Sequence, residues 1–410
     1  MTTPHPTNPH RRDRKILVTN PGAELYGADR VMLETVSALS DAGARVTVAM
    51  PEAGPLVEHV EDRGGRILIV PTAIIRKSAL RPVGFLKLVK DALTGVWPAV
   101  RVIRHERPEV VVVNTIVSPL WLIAAKVTGT PVISHVHEAE TSGSAVVRRA
   151  LVLPQFLADQ LIVNSEFSRN TVVSTWRHLA SRSVVVYNAV AGPPHVTPPR
   201  STLSGPIRLL YVGRLSPRKG PDVAIDALRV LIERGIDAEL DIVGAVFKGY
   251  EWFEHDLREK VIEGDLQTRV RFHGFQEDIW PFAEHADINI VPSAIDEAFG
   301  NTAVEAALAG RPLIVSATSG LLEASADLRA RIGVPRKSPI AIADAVETIR
   351  NRWQEFATHA IDDTEATTNR YSVDRYSQDI WGVINRVTAS RHSGHVSRVA
   401  VRRGRPAARP

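Results

Sequence analysis

Short apolar bursts alternate with stretches of helical period through this chain, and the alternation runs twice. In the first half the bursts are Lys15–Asn20, Arg45–Met50, Arg66–Val70, Glu109–Val113, Pro131–His135, Gln160–Val163 and Ser183–Tyr187. Runs so apolar along their whole length predict strands buried on both faces, as in parallel sheets. Between them, Ala28–Ala42 (stopped by Gly43), Leu56–Arg63, Pro119–Thr128 and Phe167–Trp176 carry helical spacing. Alternation of strand and helix on this scale predicts βαβ units and a parallel sheet, hence a Rossmann-like domain over 15–190.

From Ala191 to Pro206 the pattern stops. Pro193, Pro194, Pro198, Pro199 and Pro206 with Gly192 and Gly205 admit no regular element, and the stretch reads as an interdomain linker. The alternation restarts at Ile207–Gly213 and continues through a helix Pro221–Arg234, a strand Ala238–Val243, a helix Trp252–Glu263, a strand Arg269–His273, a helix Asp278–His285, and the strands Ile288–Ser293 and Pro312–Ser316. A single helix is expected over Ile340–Ala357, and Tyr371–Val387 is amphipathic with Val373, Tyr376, Ile380, Trp381, Ile384 and Val387 on one side. A second parallel-sheet domain therefore spans 207–370, a terminal helix 371–390, and the tails 1–14 and 391–410 are expected to be disordered.

Composition narrows the class. The chain has 410 residues, enough for two cores, and 44% hydrophobic and 23% charged residues are ordinary globular values. It has no cysteine, which excludes disulfides, thiolate metal sites and thiol nucleophiles. No apolar run is long enough to span a bilayer, the first fourteen residues have no apolar core of a secretory signal, and a cytoplasmic home is expected. The net charge of +5 suggests nucleic acid until it is located: residues 391–410 hold six arginines and no acid, leaving the rest at −1. No nucleic-acid partner is expected. Residues 74–107 interleave Arg76, Lys77, Arg81, Lys87, Lys90, Arg101, Arg104 and Arg107 with apolar residues, a pattern that fits either a helix with a solvated basic face or peripheral contact with an anionic membrane.

The candidate chemistry sits at two loops of the second half. Gly213-Arg214-Leu215-Ser216-Pro217-Arg218-Lys219-Gly220 follows a strand and precedes a helix, and its cations suit a diphosphate. It lacks the Gly, Lys and Ser/Thr spacing of a nucleotide-hydrolysing P-loop. Asp296-Glu297-Ala298-Phe299-Gly300-Asn301-Thr302 also follows a strand, with Glu305 eight residues beyond Glu297. Gly300, Asn301 and Thr302 would present amide N–H groups at the positive end of a helix, a place for phosphate. A plainer alternative is a capping box, with Thr302 capping the helix and Glu305 returning to it. Both loops leave strands of one sheet, so both can meet one ligand at its carboxyl edge.

These residues resemble glycosyltransferase family 4, the retaining, nucleotide-sugar-dependent enzymes of GT-B fold. The resemblance rests on Gly213-Arg214-Leu215 with Lys219-Gly220, on Val291-Pro292-Ser293, and on Glu297 with Glu305; Tyr26-Gly27-Ala28-Asp29-Arg30, His137-Glu138, Asn164-Ser165-Glu166-Phe167-Ser168 and Tyr187-Asn188-Ala189-Val190 agree with it. It implies two Rossmann-like domains facing each other across a cleft, the terminal helix crossing back to the first. It implies that Arg214 and Lys219 neutralise the donor diphosphate, that Glu305 accepts from the ribose hydroxyls, and that Glu297 with the amides of Phe299 and Gly300 holds the sugar. His137 would face the sugar and the loop at Gly27 would approach the donor or acceptor by its backbone. No metal is expected, in keeping with the absence of any Asp-x-Asp pair. The acceptor would be a glycan or a lipid-linked molecule, as in cell-envelope synthesis, with peripheral contact at the inner face of the plasma membrane an option. The chain departs from the family pattern at Tyr26 and Ala298, both glycines in most members, and at Ser319-Gly320-Leu321 with Glu323. Two rivals follow: an epimerase or hydrolase of nucleotide sugars on the same fold, and a catalytically silent sugar-binding protein.

Overall fold

The computed structural model describes residues 13–403 except 26, 73–94, 140–143 and 248, with side chains to 389. Tyr26 and most of the basic segment 74–107 thus lie outside the described residues. The chain divides into two compact units, one built from residues up to Ala189 together with Val373 onward, the other from Val190–Ser372.

The first unit is a seven-stranded parallel sheet in the order β3-β2-β1-β4-β5-β6-β7. Its strands are β1 (Lys15–Thr19), β2 (Arg45–Met50), β3 (Arg66–Ile69), β4 (Val110–Asn114), β5 (Val132–Val136), β6 (Gln160–Val163) and β7 (Ser183–Val185). Every residue of β4 and β5 is buried, as continuous apolar runs require. Alternate residues serve opposite faces: Ile16, Val18, Val110 and Val112 pack under α1 (Gly27–Asp41) and α2 (Leu56–Asp62). Leu17, Val111 and Val113 pack under the opposite layer, which includes α3 (95–106), α4 (Pro119–Thr128) and α6 (Glu166–Thr175). The helix α5 (Ala145–Val152), capped by the Ser144 hydroxyl accepting from the Val147 amide, was not evident in the sequence pattern.

The second unit is a six-stranded parallel sheet, β10-β9-β8-β11-β12-β13. The strands are β8 (Ile207–Val212), β9 (Ala238–Val243), β10 (Val270–Gly274), β11 (Ile288–Val291), β12 (Leu313–Ser316) and β13 (Arg331–Val334). The helices are α7 (Pro221–Glu233), α8 (Glu251–Glu263), α9 (Trp280–His285), α10 (Asn301–Leu308), α11 (Ser319–Ala324), α12 (Pro339–Asn351) and α13 (Trp353–Tyr371). The single helix expected over 340–357 is two: Arg352 sits at φ −118°, ψ 31°, outside the helical region. Past that break Trp353, Phe356, Ala360, Asp363, Thr367 and Tyr371 form a new buried stripe.

The stretch 191–206 holds no helix or strand, as expected, yet it is anchored. Arg200 forms an ion pair with the buried Asp287 carboxylate, and buried Arg311 donates to Thr197 O at 2.7 Å. The last helix, α14 (Val373–Arg403), belongs to the first unit and runs past the expected end at 390 into the stretch 391–410 that was expected to be disordered. Trp381 is fully buried and its Nε1 donates to Ala38 O at 3.1 Å; the Tyr376 and Thr35 hydroxyls are 2.6 Å apart. Among the described residues no helix is long and apolar enough to cross a membrane.

Candidate functional site

In each sheet the winding reverses direction once, between β1 and β4 in the first and between β8 and β11 in the second. The carboxyl ends of such strand pairs diverge into a crevice, where open α/β sheets bind ligands. Both candidate loops of the second unit leave this point, 213–220 from β8 and 292–300 from β11.

The two loops are bound to each other. The Ala294 amide donates to Arg218 O at 2.9 Å, and the Arg218 guanidinium donates to Asp296 O at 3.4 Å. Gly220 has φ 71°, and a Cβ there would lie 2.2 Å from Pro292 O, so only glycine admits this approach. Across the junction Lys219 Nζ reaches Glu297 Oε1 at 2.9 Å and Arg218 lies 3.7 Å from Oε2. The Ser293 hydroxyl donates to Oε1 at 2.8 Å. Burial pushes the Glu297 carboxyl up, but the charges of Lys219 and Arg218 and the hydrogen bonds from Lys219 and Ser293 outweigh it and hold it below the usual range. The sequence reading placed Glu297 on the sugar and Lys219 on the diphosphate; in the structure the two are paired with each other.

Arg214 opens the same loop, its guanidinium 3.8 Å over the Phe247 ring and its carbonyl accepting from the Tyr211 hydroxyl at 2.9 Å. Burial, followed by the charges of Glu297 and Asp222, pushes the Tyr211 phenol well up, so it stays a donor. Gly213 touches the loop after β9, where a Cβ on Gly244 would fall 1.8 Å from Gly213 O.

The capping-box alternative fails. Gly300 occupies the N-cap at φ 116° and has no side chain to cap the helix, and Thr302 is already the second helical residue. An N-cap must lie outside helical geometry, so Thr302 cannot serve. Glu305 stands half-buried on the fifth residue of α10, after Asn301 and Thr302 in the first turn. The Phe299 ring is core, packed edge-on against Tyr371 at 5.4 Å, which leaves only its backbone for a ligand. The sequence motifs contain Asp296 and Gly320 but give neither the role of holding this loop. Asp296 accepts from the Ser319 amide at 3.2 Å and from Arg336 at 3.0 Å, while Gly320 sits where a Cβ would meet Glu297 O at 2.1 Å.

In the first unit His137 follows β5 and is nine-tenths buried; burial pushes its imidazole down to about 3, so it is neutral at physiological pH. Its Nε2 lies 2.5 Å from Asn114 Oδ1 at the end of β4, and the Asn114 amide donates to Asn20 Oδ1 at 2.6 Å just past β1. Asn20 in turn donates to Asp29 Oδ1 at 2.8 Å, in the first turn of α1. Asn20, Asn114 and His137 therefore occupy the carboxyl ends of three neighbouring strands, at the winding reversal. Asparagine at a strand end was the available signal, and it was overlooked. Gly27 opens α1, and a Cβ there would meet nothing within 4 Å among the described residues.

Comparison with known proteins agrees with the geometry. Residues 26–191 match the family model described as Glycosyltransferase Family 4 and residues 198–364 the one described as Glycosyl transferases group 1. The amylovoran biosynthesis glycosyltransferase AmsK of Erwinia amylovora is 37% identical over 131 residues, 30% of this chain and 31% of that protein. The GDP-mannose-dependent alpha-(1-6)-phosphatidylinositol dimannoside mannosyltransferase of Mycobacterium tuberculosis is 37% identical over 150 residues, 36% of each chain. The matched stretch thus spans about a third of the length of these relatives. Among solved structures, Anabaena HepE in complex with UDP and glucose superposes with a TM-score of 0.77 at 22% identity, over 91% of this chain and 99% of that one. WaaG, a glycosyltransferase involved in lipopolysaccharide biosynthesis, gives 0.58 at 16% identity over 87% and 99%, a likeness of fold alone. With a family 4 domain in its first half, a group 1 domain in its second and a parallel α/β sheet in each, the chain belongs to the glycosyltransferases of GT-B fold.

Proposed function

We propose that this chain transfers a sugar from a nucleoside-diphosphate sugar to a glycan or lipid-linked acceptor, with retention at the anomeric carbon and without a metal. The observation that carries this reading is the joining of the 213–220 and 292–300 loops at the β8/β11 reversal, with Lys219 on Glu297. A diphosphate entering here draws Lys219 and Arg214, and releases Glu297 toward the sugar hydroxyls. Glu305 takes the ribose hydroxyls, and the amides from Phe299 to Thr302 lie at the positive end of α10. As the leaving group departs it gains negative charge, which these fixed cations and the helix end stabilise more in the transition state than in the ground state. In the first unit, neutral His137 offers its imidazole to a sugar hydroxyl. The HepE complex with UDP and glucose and the mannosyltransferase's dependence on GDP-mannose direct the choice of donors, and AmsK and WaaG direct the choice of envelope glycans as acceptors.

The test incubates the protein with UDP-glucose and GDP-mannose, with and without envelope glycan and glycolipid acceptors, in the presence of a chelator, and analyses released nucleotide, product and anomeric configuration. Acceptor-dependent release that is lost in folded Glu305→Ala and Lys219→Ala proteins is expected. Full activity in both variants would remove the site, and product formed from donor alone would favour the epimerase or hydrolase reading.

A further inference from the structure

Three buried side chains behind His137 take no direct part in the chemistry proposed above, and they run in a single line. Asp29 Oδ1 accepts from Asn20 Nδ2 at 2.8 Å, Asn20 Oδ1 accepts from Asn114 Nδ2 at 2.6 Å, and Asn114 Oδ1 faces His137 Nε2 at 2.5 Å. A carboxylate can only accept, so Asn20 must turn its NH2 toward Asp29 and its carbonyl toward Asn114. Asn114 must then turn its NH2 to Asn20 and its carbonyl to the histidine. An imidazole nitrogen facing a carbonyl oxygen carries the proton. The remaining nitrogen, His137 Nδ1, is buried and has no hydrogen-bond partner among the described residues. A buried acceptor without a partner costs free energy, so this one is held ready for a ligand's donor.

We propose that Asp29, Asn20 and Asn114 form a one-way relay that holds His137 in its Nε2–H tautomer, presenting Nδ1 as the acceptor for a hydroxyl of the bound sugar. The proposal rests on the reading above that His137 meets the sugar. The three are positioning residues, since each acts through the next.

The backbone supports it. Thr115, directly after Asn114, stands at φ 70°, where a β-branched residue is strained, and its amide donates to His135 O at 2.8 Å. That bond ties the end of β4 to β5 and sets Asn114 beside His137. Asn20 Nδ2 also donates to Gly22 O at 2.9 Å, which holds the loop after β1 to the same line.

Asp29→Asn tests the relay with almost no change of shape. An amide can donate or accept toward Asn20, so the line loses its sense. Replacing a charge-assisted hydrogen bond by a neutral one should lower the ratio of Nε2–H to Nδ1–H imidazole about tenfold. Long-range proton–nitrogen spectra of full-length protein labelled in histidine read that ratio directly, with the His137 signal identified by its loss in His137→Ala. The expected result is a pure Nε2–H form in the natural chain and a mixture in Asp29→Asn. A natural chain showing Nδ1–H imidazole, or a ratio unmoved in Asp29→Asn, would overturn the relay.

Asn114→Asp supplies a second arm that does not depend on how Asp29→Asn folds. It keeps the acceptor for Nε2–H but sets a carboxylate beside the ring, which favours the imidazolium. Among the described residues, the titratable groups facing this ring are His135, 4.1 Å between ring centroids, and Glu138, whose carboxylate accepts from the His137 backbone amide at 3.1 Å; Tyr376 stands behind His135 at 6.5 Å. His137 in this variant should titrate at higher pH than in the natural chain. Donor turnover with UDP-glucose or GDP-mannose should then be kept at high pH and fall as the pH drops and Nδ1 gains a proton. A profile without that new acid limb, in a protein whose His137 signal does titrate, would remove Nδ1 from the reaction. Should the tautomer respond as expected while His137→Ala turns over donor at the natural rate, the relay stands and the assignment of His137 to the sugar falls.

Discussion

Lys219→Met in the ligand-free protein isolates the ion pair that joins the two loops. Glu297 is 6% exposed, Lys219 Nζ is 2.9 Å from it, and the Lys219 side chain is 21% exposed. Removing one partner of a fully buried pair costs about 3–5 kcal/mol, because the other charge is left uncompensated. Here Arg218 at 3.7 Å and the Ser293 hydroxyl at 2.8 Å remain, and the ammonium is partly solvated. The expected loss is therefore about 2–3 kcal/mol at pH 7. Its pH dependence has a definite sign. In the natural chain Glu297 is held below its unfolded value, so its contribution is present above the unfolded carboxylate pKa and lost as pH falls through the folded one. Without Lys219, burial, the largest influence on this group, works against fewer opposing charges and drives the carboxyl upward. The penalty of the variant should shrink as pH falls toward the carboxylate range, where protonation removes the stranded charge. The assay is thermal and urea unfolding of natural, Lys219→Met, Glu297→Gln and double-variant proteins, read on the transition of the second unit, since two-unit chains need not unfold in one step. The double variant should match Glu297→Gln alone, giving a coupling of about 2 kcal/mol. A coupling near zero, or a penalty that stays constant with pH, would refute the account of how these loops are held.

Three further outcomes follow from the same structure. Gly220→Ala places a methyl 2.2 Å from Pro292 O at a positive φ, so the loops must part; a loss above about 2 kcal/mol in the second unit and weaker nucleoside diphosphate binding by calorimetry are expected. Trp381→Ala empties the buried seat of α14 and removes the bond to Ala38 O, which should cost about 3–5 kcal/mol in urea unfolding of the first unit and leave the second unit's transition in place. Asp363→Ala strips the acceptor from the Arg329 and Ala330 amides, at 2.8 and 2.9 Å, and should cost about 2–3 kcal/mol, with the amides of β13 exchanging faster with deuterium.

Period and punctuation alone were enough to read two parallel sheets in this chain, because strands buried on both faces must be apolar throughout. Val110–Val113 and Leu313–Val315 cannot be mistaken for half-exposed strands. Loops after β8 and β11 could likewise be picked out, since cations and glycines between a strand and a helix have few other uses. Where local signals are weak the reading failed. Arg331-Ile332-Gly333-Val334 is short and half-polar and becomes a strand only because β12 offers it a parallel edge. Arg352 breaks a helix although its residue type favours one, since the stripe from Trp353 to Tyr371 needs a new axis to reach the core.

Contact across sequence distance belonged to the tertiary structure. Ala298, Gly320 and Asp296 acquire meaning only when α11 folds against the Glu297 backbone. The line from Asp29 to His137 includes a hydrogen bond between residues 94 positions apart, Asn20 and Asn114, and no local pattern can encode a partner at that range. The capping box shows the converse, for Thr302 and Glu305 satisfied a local rule that Gly300 set aside. Local sequence chooses an element by its propensity and its apolar face. Which polar groups meet, and in which sense their protons point, is decided when strand order brings distant loops to one edge of a sheet.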